Sequence, residues 1–189
     1  MDCVTELTNV IAADCNNPAV AGTFGEVVLV PFDAVDRAAS KVENNVISEL
    51  VLKNGKKGYM FSTFDNSVLG AVSLNSGTYR NNLQHDLTLR IFVKSENTKH
   101  FVNTFVNARV VAVVKNKEAG GKGETMYEAY GYDAGLVLNT LNSDTSMADG
   151  VVYELVIGND ETSKEKSVPK SVWAGSLADT ETMLGTLTA

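Results

Sequence analysis

Between His85 and Val114 the hydrophobic period changes twice, and that double change restricts the fold more than any other feature of the chain. The first run, HDLTLRIFV, sets Leu87, Leu89, Ile91 and Val93 in alternation with Asp86, Thr88, Arg90 and Phe92. A period of two predicts a strand with one apolar row turned to a core and a mostly polar row turned out. In KSENTKHFVNTFVNA the spacing becomes three to four, so Phe101, Val102, Phe105 and Val106 fall along one side of a helix. Ser95 is placed to cap it, with Glu96 in the first turn where a carboxylate favours the helix dipole. RVVAVV then returns to β-branched residues, and Val110–Val114 is too apolar to face water on both sides. One amphipathic helix among strands has to bury its stripe against a sheet, so the core is expected to close here.

The remaining segments supply strands. EVVLVP, from Glu26 to Pro31, reads as a strand stopped by proline, and Phe32–Val42 as a loop or a single helical turn. Val46–Lys53 and Gly58–Phe64 flank Asn54-Gly55-Lys56-Lys57, and Asn-Gly supplies the positive φ angles a tight hairpin needs. Val68–Leu74 and Tyr79–Val93 are expected to pair antiparallel as long strands that reach beyond the compact body. Val110–Val114 and Met126–Tyr132 form another hairpin across the polar, glycine-rich KNKEAGGKGET. GLVLNTL and VVYELVIG complete the set. Met1–Cys15 reads as a short helix or an extended arm, ended at Asn16-Asn17-Pro18. The expected fold is therefore mainly β: an antiparallel β-sandwich or barrel with one flanking α-helix at about Ser95–Ala108 and extended hairpin or terminal arms. Residues 1–158 form the sandwich with its N-terminal arm, and residues 159–189 a polar linker and C-terminal arm.

Charge narrows the function. The chain of 189 residues carries a net charge of −7, from 16 Lys and Arg against 23 Asp and Glu. That balance argues against wrapping a duplex, which takes clustered cations. Neither Met1–Asp36 nor Ser171–Ala189 contains a Lys or Arg. No run approaches the roughly 18 apolar residues of a membrane span, and the N-terminus lacks the pattern of a secretory signal, so membrane insertion is not expected and folding in a cytoplasm is.

No residue pattern specifies catalysis. His85 and His100 are the only histidines, and Cys3 and Cys15 the only cysteines, at a spacing that excludes a CxxC pair. There is no strand–GxSxG–helix elbow. Gly120-Gly121-Lys122-Gly123-Glu124-Thr125 resembles a phosphate loop at a glance, yet a glutamate and a strand follow where Ser or Thr and a helix belong. No catalytic, metal or cofactor site is therefore expected. Tyr130 and Tyr132 are expected on one strand face with Tyr127 on the other, as sheet packing. Lys53, Lys56 and Lys57 make a small basic tip, either a solvated turn or a contact for an acidic surface on a neighbouring copy, and Trp173 is an apolar anchor for another element or another subunit; Asn54, Lys56, Lys57 and Trp173 are the candidate subunit contacts.

The order of these pieces resembles that of bacteriophage major tail tube proteins, in particular those of phages infecting Bacteroidetes-type hosts. The likeness runs through CNNPAVAGTFGEVVLV, the turn at Asn54-Gly55, and the long strand into the helix Ser95–Ala108. It continues with RVVAVVKNKEAGGKGE, YEAYGYDAGL and GVVYELVIGNDE. The resemblance implies a non-enzymatic virion protein, assembled in the cytoplasm of a bacterial host, whose copies close hexameric rings that stack into a tail tube. It also implies contact with other tail proteins and with phage DNA, which passes through the lumen without sequence-specific binding. Ring closure would remove the exposed edges of long strands. The alternatives are another virion part, such as a tail ring, adaptor or capsid decoration protein, and a β-domain for binding or adhesion. A small hydrolase built on His85 or His100 would need a deep pocket around a perturbed histidine.

Overall fold

A computed structural model describes residues 20–76, 81–143 and 148–189. The expectations for Met1–Cys15, including both cysteines, lie outside the described residues. The strands are β1 (Thr23–Pro31), β2 (Lys41–Glu43), β3 (Val46–Glu49), β4 (Tyr59–Ser62), β5 (Val68–Asn75), β6 (Asn82–Ile91), β7 (Arg109–Asn116), β8 (Tyr127–Tyr130), β9 (Leu136–Asn142), β10 (Tyr153–Gly158) and β11 (Lys170–Val172). Helix α1 (Glu96–Phe105) joins β6 to β7, and α2 (Leu177–Thr188) follows β11. The fold is mainly β and sandwich-like, with a helix on its flank.

The sheet forks at β7. One edge of β7 pairs antiparallel with β1, which in turn carries β4. The opposite edge is shared, with Ala112–Lys115 taken by β8 and Arg109–Val110 by β9. From that division one leaf continues through β8, β11, β3 and β2, and the other through β9, β10, β6 and β5. All pairs are antiparallel except β3 with β11.

A fork with two leaves makes two cores, and β1 and β7 are the wall between them. Val27, Leu29, Val110, Ala112 and Val114 face a first core with Leu87, Leu89, Leu136, Leu155 and Ile157, closed by Val102 and Phe105 of α1. Val28, Val30, Val111 and Val113 face a second, with Ile47, Tyr127, Val172 and the α2 residues Leu184 and Leu187. This explains why EVVLVP and RVVAVV are continuously apolar while β6 alternates: strands buried on both faces have no polar row. Each fully buried aliphatic side chain contributes about 1.5–3 kcal/mol relative to exposure.

Several local expectations hold and several need correction. Ser95 caps α1, its hydroxyl accepting the Thr98 N–H at 3.1 Å. β5 and β6 pair antiparallel from Val68↔Leu89 to Asn75↔Asn82. Val93, expected in the apolar row, is 64% exposed because β6 ends at Ile91 and the alternation runs past it. The turn at Asn54-Gly55 forms, with Gly55 at φ 73° and the Lys56 N–H donating to the Lys53 carbonyl at 3.0 Å. It does not make a hairpin. β3 pairs with β2 and β11, and β4 with β1. The end of α2 packs against the turn: the Gly58 N–H donates to the Leu187 carbonyl at 2.6 Å, and Leu50 N–H meets Met183 Sδ at 3.3 Å. An Asn-Gly turn reverses the chain, but the burial available on β1 and α2 chooses the partners.

The tyrosine faces also differ from expectation. Tyr127 and Tyr132 enter the second core and Tyr130 the first. Gly131, at φ 73°, breaks the alternation, and a Cβ there would lie 2.5 Å from Leu136 Cγ. The segment after Gly158, expected as linker and arm, instead adds β11 to the sheet and lays α2 over the second core. Ser176 caps α2 by accepting the Asp179 N–H at 3.1 Å. The apolar stripe of α2 was hidden from pattern reading by its threonines, one of which, Thr180, is itself buried.

Candidate functional site

The two ends of β6 carry opposite chemistry. At its start lies a buried polar cluster. His85 is 1% exposed, and its ring Nδ1 accepts the Gly131 N–H at 3.3 Å while Nε2 lies 3.0 Å from the Ser167 carbonyl. Those two partners fix the tautomer, with the proton on Nε2 donated to Ser167. Burial holds the imidazole below its ordinary pKa, offset in part by the carboxylate of Glu165. The Tyr130 ring meets the imidazole edge-on at 5.6 Å. Burial and the nearby Glu128 carboxylate push the Tyr130 hydroxyl far above its usual range.

Around this ring every group has a partner. Glu165, 1% exposed, accepts the N–H groups of Asp133 (3.1 Å) and Ala134 (2.8 Å) and the amide of Asn159 (3.3 Å). Asn159 also donates to the Gly135 carbonyl and accepts the His85 N–H, at 2.9 and 2.8 Å. Lys170, nearly buried, reaches Asp133 at 3.1 Å and the Ser167 hydroxyl at 2.8 Å. Leu83 and Glu165 exchange two backbone hydrogen bonds, 3.1 and 3.0 Å. Together these bonds clamp residues 159–170 to the sheet and to the turn Gly131–Gly135.

A histidine with both nitrogens engaged by backbone has no lone pair or proton to offer a substrate. The groove beside the cluster, about 560 Å³, is lined by Phe32, Asn82, Arg109, Asp133, Glu161 and Lys164 among others, but not by His85. His100 sits exposed on α1. Among the described residues, no group of three or more His, Cys, Asp and Glu is placed to hold a metal ion.

The far end of β6 is apolar and open. Met60, Phe61, Phe64, Ile91, Phe92, Val93 and Phe101 line a groove of about 540 Å³ between β4 and α1. Phe64 and Phe92 meet edge-on at 5.0 Å, and Phe61 stacks on Phe101 at 6.0 Å. Phe64 is nevertheless 68% exposed. From beside this groove β5 runs back along β6, from Val68↔Leu89 to Asn75↔Asn82 at the polar end, and among the described residues it pairs on that one edge only. Val68 is buried, and every residue after it in β5 is exposed, including Leu69, Val72 and Leu74. Val72 and Leu74, paired with His85 and Leu83, lie on the face that Val68 turns into the core, yet they are exposed there. Gly70 marks the limit, because a Cβ there would meet the Tyr130 hydroxyl at 2.4 Å.

The candidate contacts read from sequence are not gathered into one site. Asn54, Lys56 and Lys57 are exposed at the turn beside the end of α2. The pocket next to that turn is lined by residues from Glu49 to Lys56 and by Met183, Thr186 and Leu187, without Trp173. Trp173 is half-buried, its backbone N–H donating to the Ile47 carbonyl at 2.9 Å and its ring lying against Gly123 at the β7–β8 tip. The β5 edge was legible as a long strand, but its open side was not, since pairing partners are a tertiary property. The class defined by these observations is a two-core β-sandwich with a closed polar cluster, an open apolar groove and a long edge strand, β5, unpaired on its outer side among the described residues. No family model, no curated protein and no solved structure matches the chain.

Proposed function

We propose that this chain is a structural subunit that assembles with copies of itself, and specifically a tail tube subunit of the kind its sequence resembles. The observation that carries the reading is the β5 edge. It is eight residues long, uncharged, free of proline and exposed along all but its first residue. No charged residue occurs anywhere between Asp65 and Arg80. Monomeric proteins protect long edges with Lys, Pro, bulges or cover, because a bare edge templates association. An edge without those devices is suited to being completed by a neighbour, as ring closure does. The apolar groove near the start of β5 is a second exposed apolar surface, separate from the edge itself.

On this reading a ring closes by repeating one heterologous contact about an axis, β5 of each copy meeting a different surface of the next, and six copies per ring is what the resemblance implies. Stacked rings would form the conduit for phage DNA, with an acidic inner wall that repels phosphate. Negative-stain electron microscopy of the purified chain tests this. Tubes of stacked rings are the expected image. Isolated rings would favour a tail ring or adaptor, and dispersed monomers at high concentration would overturn self-assembly.

A further inference from the structure

The polar cluster at the start of β6 is a closed arrangement whose geometry depends on one proton. Both nitrogens of His85 face backbone groups of fixed polarity: a donor, the Gly131 N–H, and an acceptor, the Ser167 carbonyl. A second proton has to sit on Nδ1, where it opposes the Gly131 N–H. That N–H cannot swing away freely, because Gly131 is wedged against Leu136. The new charge would also be buried without a free acceptor.

The surrounding groups do not relieve this. Glu165 is the nearest carboxylate in effect, but its oxygens already hold the Asp133 and Ala134 N–H groups and Asn159, and turning to an imidazolium would release them. Asp133 is paired with Lys170, whose ammonium works against a second cation. From β8, Tyr130 presents a ring edge, with Glu128 beyond its hydroxyl. On β6 itself, Gln84 and Asp86 bond to each other and Gln84 to the Asn159 carbonyl. Lys164 is engaged by Gln84.

We propose that residues 159–170 form an acid-released latch, with His85 as the trigger that lets the segment lift from the sheet while the β1–β7 wall stays folded. The sign follows from linkage. The folded form binds the His85 proton less readily than the open form, so the latch is fully held above the ordinary histidine value of 6.5. Its hold falls as pH drops from there toward the lowered folded value. Across that window opening rises by about tenfold per pH unit, because one proton is taken up.

Hydrogen–deuterium exchange, corrected for the intrinsic pH dependence of exchange, reads this directly. Between pH 7.5 and 5, peptides from Asn159–Lys170 are expected to gain exchange while those from Arg109–Asn116 do not. A His85→Gln chain should lose the pH dependence. Should that chain fail to fold, an H100Q chain leaves His85 as the only histidine signal in a proton NMR titration. Its midpoint is expected below 6.5 and coincident with opening of the segment. Equal protection at both pH values, equal acid opening in H85Q, or a His85 titration that leaves the segment shut would each overturn the latch.

Discussion

The two leaves of the forked sheet end in edge strands finished in different ways, β2 on one and β5 on the other. β2 is three residues long, with Lys41 and Glu43 at its ends and an ion pair of 2.6 Å between Lys41 and Glu49. β5 is eight residues long and has neither charge nor proline. A short, charged edge discourages pairing with a stranger, and a long, bare one invites it. The difference shows that edge protection here is selective. Among the described residues, the leaf sealed by α2 ends in a protected edge, and the leaf flanked by α1 is left open along β5 and, separately, at the Phe64 groove.

The comparison breaks most sharply at β5. Placing charge there with Val72→Lys and Leu74→Lys together should abolish assembly entirely, leaving a monomer by analytical ultracentrifugation. Its unfolding free energy should stay within about 0.5 kcal/mol per substitution, since both side chains are exposed. Persistent assembly of that double variant would show that β5 is not the joint. The opposite leaf should respond the other way. Leu184→Ala, on the buried face of α2, should lower stability by about 2–3 kcal/mol in urea denaturation, measured on the monomeric double variant, and leave assembly of the otherwise intact chain in place. Ser95→Ala removes the cap of α1 beside the open groove and should cost about 1 kcal/mol, read as a lower denaturation midpoint. Smallest of all, Lys41→Ala at the protected edge should leave the midpoint unchanged, because its ion pair is fully solvated.

How much of this could be read in advance follows from the range of each interaction. The α1 cap, the alternation of Leu87, Leu89 and Ile91, and the β5–β6 and β7–β8 pairs lie between sequence neighbours, and all are written in local pattern. The Asn54-Gly55 turn was visible for the same reason, while its supposed hairpin was not formed because β1 and α2 bury β4 and the turn better. The His85 cluster joins residues from β6, the Gly131–Gly135 turn and the segment after β10, none of them near the others in sequence. Its one advance signal was a histidine on the apolar face of an otherwise aliphatic strand. Trp173 pointed to something that holds the tail down, and that something is this chain's own β3 and β7–β8 tip.

By itself the sequence determined that strands would dominate, that Val110–Val114 was too apolar to face water on both sides, and that a capped helix would cross between β6 and β7. Those outcomes rest on periodicity and on the solubility of each residue type, which act within a few positions. Only the tertiary structure decided where the sheet forks, that the last residues build a helix over a second core, and which long edge is unpaired among the described residues. Partner choice between distant strands depends on the total surface that each pairing removes from water, a quantity that exists only once the whole chain is assembled.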